Sequence, residues 1–130
     1  MSPDECIAAL DNALAADGED FTLRRVVGVL PNTVNIDVKC KAWITAITAE
    51  QIAAGIPETE LNVVFSPTQI NEAQWPGGTV PALPPYNVDQ RVPRVDVDKA
   101  VVQNRLRTVS FVNAVNVTGA LVRINMRVKG

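Results

Sequence analysis

The stretch "NTVNIDVKCKAWITAI", residues 32–47, alternates between apolar and polar side chains. Its even positions from 34 to 44 carry small or β-branched apolar residues, and most odd positions are polar. Because successive side chains of a strand point to opposite faces of a sheet, this period of two predicts a strand with one buried and one solvent-facing side. Trp43 breaks the pattern, since it stands on the polar side. It is either an exposed aromatic at a contact surface or a residue covered by a helix predicted at the N-terminus.

Further strands follow the same logic. "ALVRINMRVKG" (residues 120–130) alternates in the same way, and "NVTG" (116–119) joins it as a hairpin turn to the strand-like "RLRTVSFVNAV" (105–115). Shorter strands are predicted at "FTLRRVVG", "LNVVF" and "DKAVV". The last of these reaches the next strand through Gln103 and Asn104, and Asn104 tolerates the left-handed conformation that such a turn requires.

The N-terminus predicts a helix over residues 1–18. Ser2 can cap it, Pro3 suits its first turn, Glu5 completes a capping box, and Gly18 is expected to be a left-handed stop. Its apolar stripe is narrow, which indicates a helix lying on a surface. The stripe consists of Ile7, Leu10 and Leu14.

Two excursions interrupt the strands. The first, residues 45–60, contains the pair Thr48 and Gln51, which can cap a helix. The second, residues 66–90, opens with Ser66, Pro67 and Gln69 in the same arrangement, which predicts a short helix before a proline-rich loop.

These signals together predict a mainly β protein. We expect one domain over residues 1–130, an N-terminal helix (1–18) followed by a small antiparallel barrel or sandwich (19–130) of about six or seven strands. Hydrophobic residues make up 47% of the chain and charged residues 20%, as in ordinary folded domains. We find no apolar run long enough for a membrane span or a signal-peptide core, so we expect a cytoplasm-like compartment. Cys6 and Cys40 are predicted to be buried free thiols rather than a disulfide.

The residue types needed for most enzymes are missing. The chain contains no histidine, and two separated cysteines do not make a zinc site. "DVDK" (96–99) resembles part of a metal-dependent nuclease site, but on a strand Asp96 and Asp98 would share a face while Lys99 points away. We therefore expect neither catalysis nor a metal or cofactor.

Charge is distributed unevenly along the chain. Residues 1–20 hold six acidic side chains and no basic one, whereas residues 91–130 hold eight basic and two acidic side chains. Either the acidic helix folds back on basic strands of its own chain, or copies associate head to tail. We expect the acidic and basic ends of the chain, here called the charge poles, to steer association between copies. Their principal members are Asp17, Glu19, Asp20, Arg105, Arg107, Arg123 and Arg127.

Nucleic acid binding receives weaker support. Arginines on the C-terminal strands favour it, but the pI of about 5.0 and the few aromatic residues do not. We expect at most loose contact with a phosphate backbone.

The order of these features resembles the head-completion (stopper, or head-tail joining) proteins of long-tailed bacteriophages. The resemblance rests on the acidic helix, "GEDFTLRRVVG", "EQIAAGI", "VVFSPTQINEAQWP", the proline loop, "VDKAVVQNRLRTV" and "GALVRINMRVKG", and covers nearly the whole chain. It implies a virion protein, synthesised in the bacterial host cytoplasm, that forms a ring, commonly of six copies, in the phage neck. Its partners would be portal or adaptor proteins on the head side, a tail or tail-terminator protein on the other, and packaged DNA through non-specific contact.

The resemblance also gives the two excursions a role as contacts between rings. The alternative is a solvated loop whose apolar residues pack on the barrel. Other functions that fit the sequence are a tail-terminator or adaptor ring protein, or a small ligand-binding barrel with the proline loop as a lid. The residues expected to make ring or docking contacts are Trp43, Gln51, Ile52, Ile56, Trp75, Leu83 and Tyr86.

Overall fold

The computed structural model describes residues 2–28, 31–57, 59–75, 89 and 91–130. Leu83 and Tyr86 lie outside the described residues. Within these ranges the chain forms three helices and six strands. The helices are α1 (Pro3–Asp17), α2 (Ala49–Ala53) and α3 (Thr68–Ala73). The strands are β1 (Glu19–Val27), β2 (Val34–Ala46), β3 (Leu61–Phe65), β4 (Lys99–Val102), β5 (Arg105–Val117) and β6 (Ala120–Lys129).

The strands close into an antiparallel barrel in the order β1-β2-β3-β6-β5-β4, with β4 pairing back to β1. The long strand β2 makes closure possible because it serves two partners. Its residues 34–42 pair with β1 and its residues 42–46 pair with β3, so that Ala42 lies opposite both Glu19 and Phe65. The prediction of a mainly β fold with an N-terminal helix is confirmed, and the architecture is a barrel rather than a sandwich.

The barrel interior is filled by the side chains that the alternating pattern places inward. Phe21 and Phe65 meet edge to face, with ring centroids 5.1 Å apart. Cys40 and Ala42 of β2 are buried among the same core residues, which confirms the predicted buried face in the middle of that strand, whereas Val34 at its start is 60% exposed. Both cysteines are free, Cys40 buried and Cys6 half-buried. The core therefore occupies the space that a ligand-binding barrel would keep open.

Both predicted hairpin turns adopt left-handed conformations. Gln103 and Asn104 have φ of 53° and 62°, and Thr118 and Gly119 have φ of 51° and 78°. Two consecutive residues with positive φ match the right-handed twist of the strands they connect. The sequence signals at these turns are confirmed.

Helix α1 begins as predicted but ends differently. The capping box between Ser2 and Glu5 is present. Gly18, however, has φ −83° and is extended, so the expectation of a left-handed stop is wrong. Glycine is needed here for close approach, because a Cβ atom would lie 2.5 Å from the carbonyl oxygen of Leu14.

The side chain of Asp11 attaches α1 to the corner between β3 and α3. Its carboxylate accepts hydrogen bonds from Ser66 Oγ at 2.5 Å and from Thr68 Oγ1 at 2.6 Å. The predicted cap of α3 by Ser66 is wrong, since the helix begins after Pro67 and has no side-chain cap. Ser66 Oγ donates to α1 and accepts only a hydrogen bond of 3.4 Å from the backbone N–H of Thr68. The predicted cap of α2 is confirmed by reciprocal hydrogen bonds between Thr48 and Gln51.

A buried ion pair connects β1 to the segment before β4. Arg25 Nε and Nη2 donate to the two carboxylate oxygens of Asp98 at 3.0 and 2.8 Å, and the backbone N–H of Arg94 donates to the same carboxylate at 2.7 Å. The prediction that Asp96 and Asp98 share a face is wrong. Residues 95–97 form a turn, in which Asp96 has φ 62° and is exposed beside Lys129.

Within the described ranges, none of the helices has the length and apolar character needed to cross a membrane.

Candidate functional site

Four adjacent strands, β2, β3, β6 and β5, present a continuous outer wall. Their register places Trp43 opposite Val64, Val64 opposite Asn125, and Asn125 opposite Asn113. Neighbouring strands are about 4.8 Å apart, and the row follows the curved outer surface of the barrel over three such steps. The Trp43 side chain is 58% exposed at one end of the row.

The next row of the wall contains a stacked cation. Register places Asn62 opposite Arg127 and Arg127 opposite Phe111. The Arg127 guanidinium carbon lies 4.3 Å from the centre of the Phe111 ring, and Phe111 is 42% exposed. Arg127 Nε is buried, and no acceptor among the described residues lies within hydrogen-bond range of it.

These rows form the floor and one side of a groove of about 570 Å³, here called the wall groove. Helix α1 borders it through Leu10 and Ala13, beside Trp43. Helix α2 borders it through Gln51, whose amide exchanges hydrogen bonds of 3.1 and 2.9 Å with the amide of Asn62. The wall groove is defined by Trp43, Val64, Asn62, Asn125, Phe111, Arg123 and Arg127, together with these bordering residues.

The wall groove combines exposed aromatic rings with cations. Arg123 and Arg127 line it, and its lining residues include no carboxylate. Among the described residues, neither arginine has a carboxylate within salt-bridge distance. Aromatic and arginine side chains together are typical of the energetically important centre of a protein interface. The groove can therefore accept an apolar element that carries negative charge.

The predicted contact residues fall into different environments. Trp43 lies in the wall groove and is exposed, although α1 lies beside it. Ile52 of α2 is 41% exposed, and Ile56 is half-buried. Gln51 is held by Asn62 and by the cap of α2, so it supports the groove edge from within the chain.

Trp75 is not available for docking, which corrects the expectation for this residue. It is 3% exposed and belongs to the core. Its Nε1 donates a hydrogen bond of 2.8 Å to the carbonyl oxygen of Ile36, and the Arg25 guanidinium lies 4.7 Å from its ring centre. Its position after a short helix and before a proline-rich loop suggests an exposed side chain. In the structure α3 places the ring in the barrel core.

The charge poles are divided by the fold. Asp20 lies near Lys39 and Lys41 of β2, at 3.6 and 3.8 Å, rather than near the C-terminal strands. Arg123 and Arg127 line the wall groove, whereas Arg105 and Arg107 line a separate depression with Lys129. Asp17 and Glu19 are exposed at the end of α1 and the start of β1.

Sequence reasoning missed Phe111 and the pair Arg25–Asp98. Phe111 follows buried Val109 by two positions, so a regular strand would turn it inward. A β-bulge between Val109 and Phe111 shifts the alternation and turns it outward. For Arg25 a signal existed, since it continues the inward positions of Phe21 and Leu23.

Acidic and sulfur side chains do not gather into a metal site in the described part of the chain. No group of three or more Cys, Asp or Glu side chains there could hold an ion.

Comparison of the chain with protein-family models, with curated proteins and with solved structures finds no match.

Proposed function

We propose that this chain is a structural subunit of a bacteriophage neck, forming a ring between the portal or adaptor assembly and the tail. The ring closes the filled head and presents the surface on which the tail docks. The proposal joins the order of sequence features described above to one structural observation, the wall groove with its two exposed aromatic side chains.

The wall groove supports an assembly role because its exposed aromatic rings add little to the stability of a monomer. Trp43 and Phe111 leave large apolar areas in water, although the barrel has a filled interior of its own. Truncating such an anchor residue to alanine at an interface typically costs about 2 kcal/mol or more of binding free energy. A side-by-side contact between barrels would use this wall, and the ends of the barrels would remain for the rings above and below.

A rigid barrel also suits a ring wall. The Arg25–Asp98 pair and the attachment of α1 through Asp11 fix the elements around the barrel before any partner binds. Pre-organised surfaces lose less entropy on association than mobile ones. In this proposal the subunits form a homo-oligomer, commonly of six copies, around the path of the packaged DNA.

The proposal is tested by deleting the gene from the phage that encodes the chain. We expect filled heads and free tails that do not join, visible by electron microscopy of the lysate. The parent chain supplied from a plasmid should restore tailed particles, and a variant with Trp43→Ala and Phe111→Ala should restore at least tenfold fewer. Leu106→Ala is the matched control, because Leu106 is 54% exposed and lies outside the groove lining. Normal tailed particles without the chain would refute the proposal.

A further inference from the structure

We infer that the wall groove binds the outer face of helix α1 from a second copy of this chain. The inference names the partner surface within the proposed ring and rests on that proposal for its biological setting. It depends on three observations: the aromatic lining of the groove, the small side chains on the outer face of the helix, and the opposite charges of the two surfaces.

The groove is lined by two exposed aromatic rings. Trp43 and Phe111 stand on β2 and β5, with two strands between them. Both rings line the same groove, which has a volume of about 570 Å³. Val64 also lines it, so a helix in the groove would contact an apolar side chain as well as the aromatic rings.

The outer face of α1 is suited to close packing. Its inner face contacts its own barrel through half-buried Leu10 and buried Leu14, and beyond the first turn the exposed positions of the opposite face are short side chains. Short side chains allow a helix backbone to approach a sheet closely. The exposed face consists of Ala8, Asn12, Ala15 and Ala16.

The charges are complementary. Helix α1 carries four carboxylates and no basic residue; Asp4 and Glu5 are exposed in its first turn, whereas Asp17 lies beside Leu14 and Trp43 of its own chain. The groove provides Arg123 and Arg127, which have no carboxylate partner among the described residues. Exposed pairs of this kind contribute about 0–1 kcal/mol each, so they orient the helix while the apolar contact holds it.

The helix cannot occupy the groove of its own chain. Asp11 fixes it to Ser66 and Thr68, and Leu10 of the same helix forms part of the groove border. The contact therefore joins two different surfaces of two copies, helix to groove, and each bound copy offers a free groove or a free helix to the next. Such a heterologous contact builds a chain of subunits that becomes a ring if the rotation closes.

Site-directed cross-linking tests the inference. In a Cys6→Ser background, one chain carries Asn12→Cys on the helix face and another carries Val64→Cys on the groove floor. A short bismaleimide is added to each chain alone and to an equal mixture. Cys40 is buried and its burial raises the pKa of the thiol to about 12, so it should not react.

We expect cross-linked dimers in the mixture at least tenfold above either chain alone, and a ladder beyond dimers when both substitutions are in one chain. The control pair is Asn12→Cys mixed with Leu106→Cys, which presents a thiol that is more exposed than one at position 64 but lies outside the groove lining. Cross-linking of the Asn12→Cys chain with itself to the same extent would indicate helix–helix contact and overturn the inference. The inference would also be overturned if the mixture gave no more cross-linked dimer than the control pair. The same holds if the chain carrying both cysteines formed cross-linked dimers but no larger species.

The two proposals can fail separately. If cross-linking fails while the gene deletion still leaves untailed heads, the helix-in-groove contact is wrong and the neck role stands. If the ladder forms while tailed particles assemble without the chain, the contact stands and the neck role is wrong.

Discussion

The guanidinium of Arg25 lies 4.7 Å from the centre of the Trp75 ring, inside the barrel wall. The same guanidinium binds the carboxylate of Asp98 and donates to the carbonyl oxygen of Val92 at 3.4 Å. Arg91 adds a hydrogen bond of 2.7 Å to Asn71 of α3. Residues on both sides of the proline-rich segment are thus held at one place, largely by one side chain.

Removing either member of the Arg25–Asp98 pair should be severely destabilising. Arg25→Met leaves a buried carboxylate without its cation, at a cost of about 3–5 kcal/mol in the free energy of unfolding. Asp98→Asn should have a similar effect, and the double variant should lose much less than the sum of the two. Urea unfolding of the four proteins gives the coupling energy.

The neighbouring pair Arg24–Asp37 provides a matched control for this double-mutant cycle. Its closest atoms are 2.9 Å apart, against 2.8 Å in the Arg25 pair, but both of its side chains are partly exposed. The same substitutions there, Arg24→Met and Asp37→Asn, should show a coupling energy of about 1 kcal/mol or less. Equal coupling in both cycles would mean that burial does not determine the strength of the Arg25 pair.

The two tryptophans should respond in opposite ways to truncation. Trp75→Ala removes a core ring and a buried hydrogen bond, and should lower the free energy of unfolding by about 3–5 kcal/mol. Trp43→Ala should change it by about 1 kcal/mol or less, because most of that ring is already in water. Fluorescence quenching by acrylamide of the single-tryptophan variants should be strong for Trp43 and weak for Trp75. Similar quenching of both would contradict the burial of Trp75.

Most of the fold could be predicted because its signals are local. The alternation in residues 32–47, the turn residues Asn104 and Gly119, and the cap at Ser2 each report on backbone within a few residues. Closure into a barrel rather than a sandwich could not be predicted. It depends on the pairing of β4 with β1, whose residues are more than seventy positions apart in sequence. Nothing in the local pattern of either strand specifies that partner.

The candidate site was predictable only in part, for similar reasons. Trp43 could be selected because it violates a regular alternation. Regular alternation predicts that Phe111 points inward, but the β-bulge beside it turns the side chain outward. Its stacking partner Arg127 belongs to another strand. Trp75 was misjudged because its environment comes from Arg25 and Ile36, both distant in sequence.

The attachment of α1 should depend on Asp11. Asp11→Ala removes the acceptor of two hydrogen bonds and should weaken local protection of α1 more than it lowers global stability. Hydrogen exchange measured by mass spectrometry should show amides of residues 5–17 exchanging at least tenfold faster, while those of β1 and β2 are little affected. Asn12→Ala is the control on the exposed face. Unchanged exchange in α1 would show that its apolar contacts alone hold it.

The Cys40 thiol should make stability fall at alkaline pH. Burial raises the pKa of this thiol to about 12, so the folded chain keeps a proton that the unfolded chain releases above about pH 8.5. This contribution is fully present below that pH and is lost as pH rises, by about 1.4 kcal/mol per pH unit. Urea unfolding at pH 8 and pH 10.5 should show a smaller loss for Cys40→Ala than for the parent. An identical loss in both proteins would contradict this assignment.

The contacts of Arg25 with residues on both sides of the proline-rich segment also affect how such a protein could change during evolution. Because Trp75 and Val92 are fixed at the same guanidinium, the residues between them can be inserted, deleted or exchanged without moving the barrel strands. In general, lengthening a connection between two fixed points costs little closure entropy, about 0.6 kcal/mol for each doubling. This position can therefore accept new sequence, even a small inserted domain, while the wall that carries Trp43 and Phe111 keeps its shape.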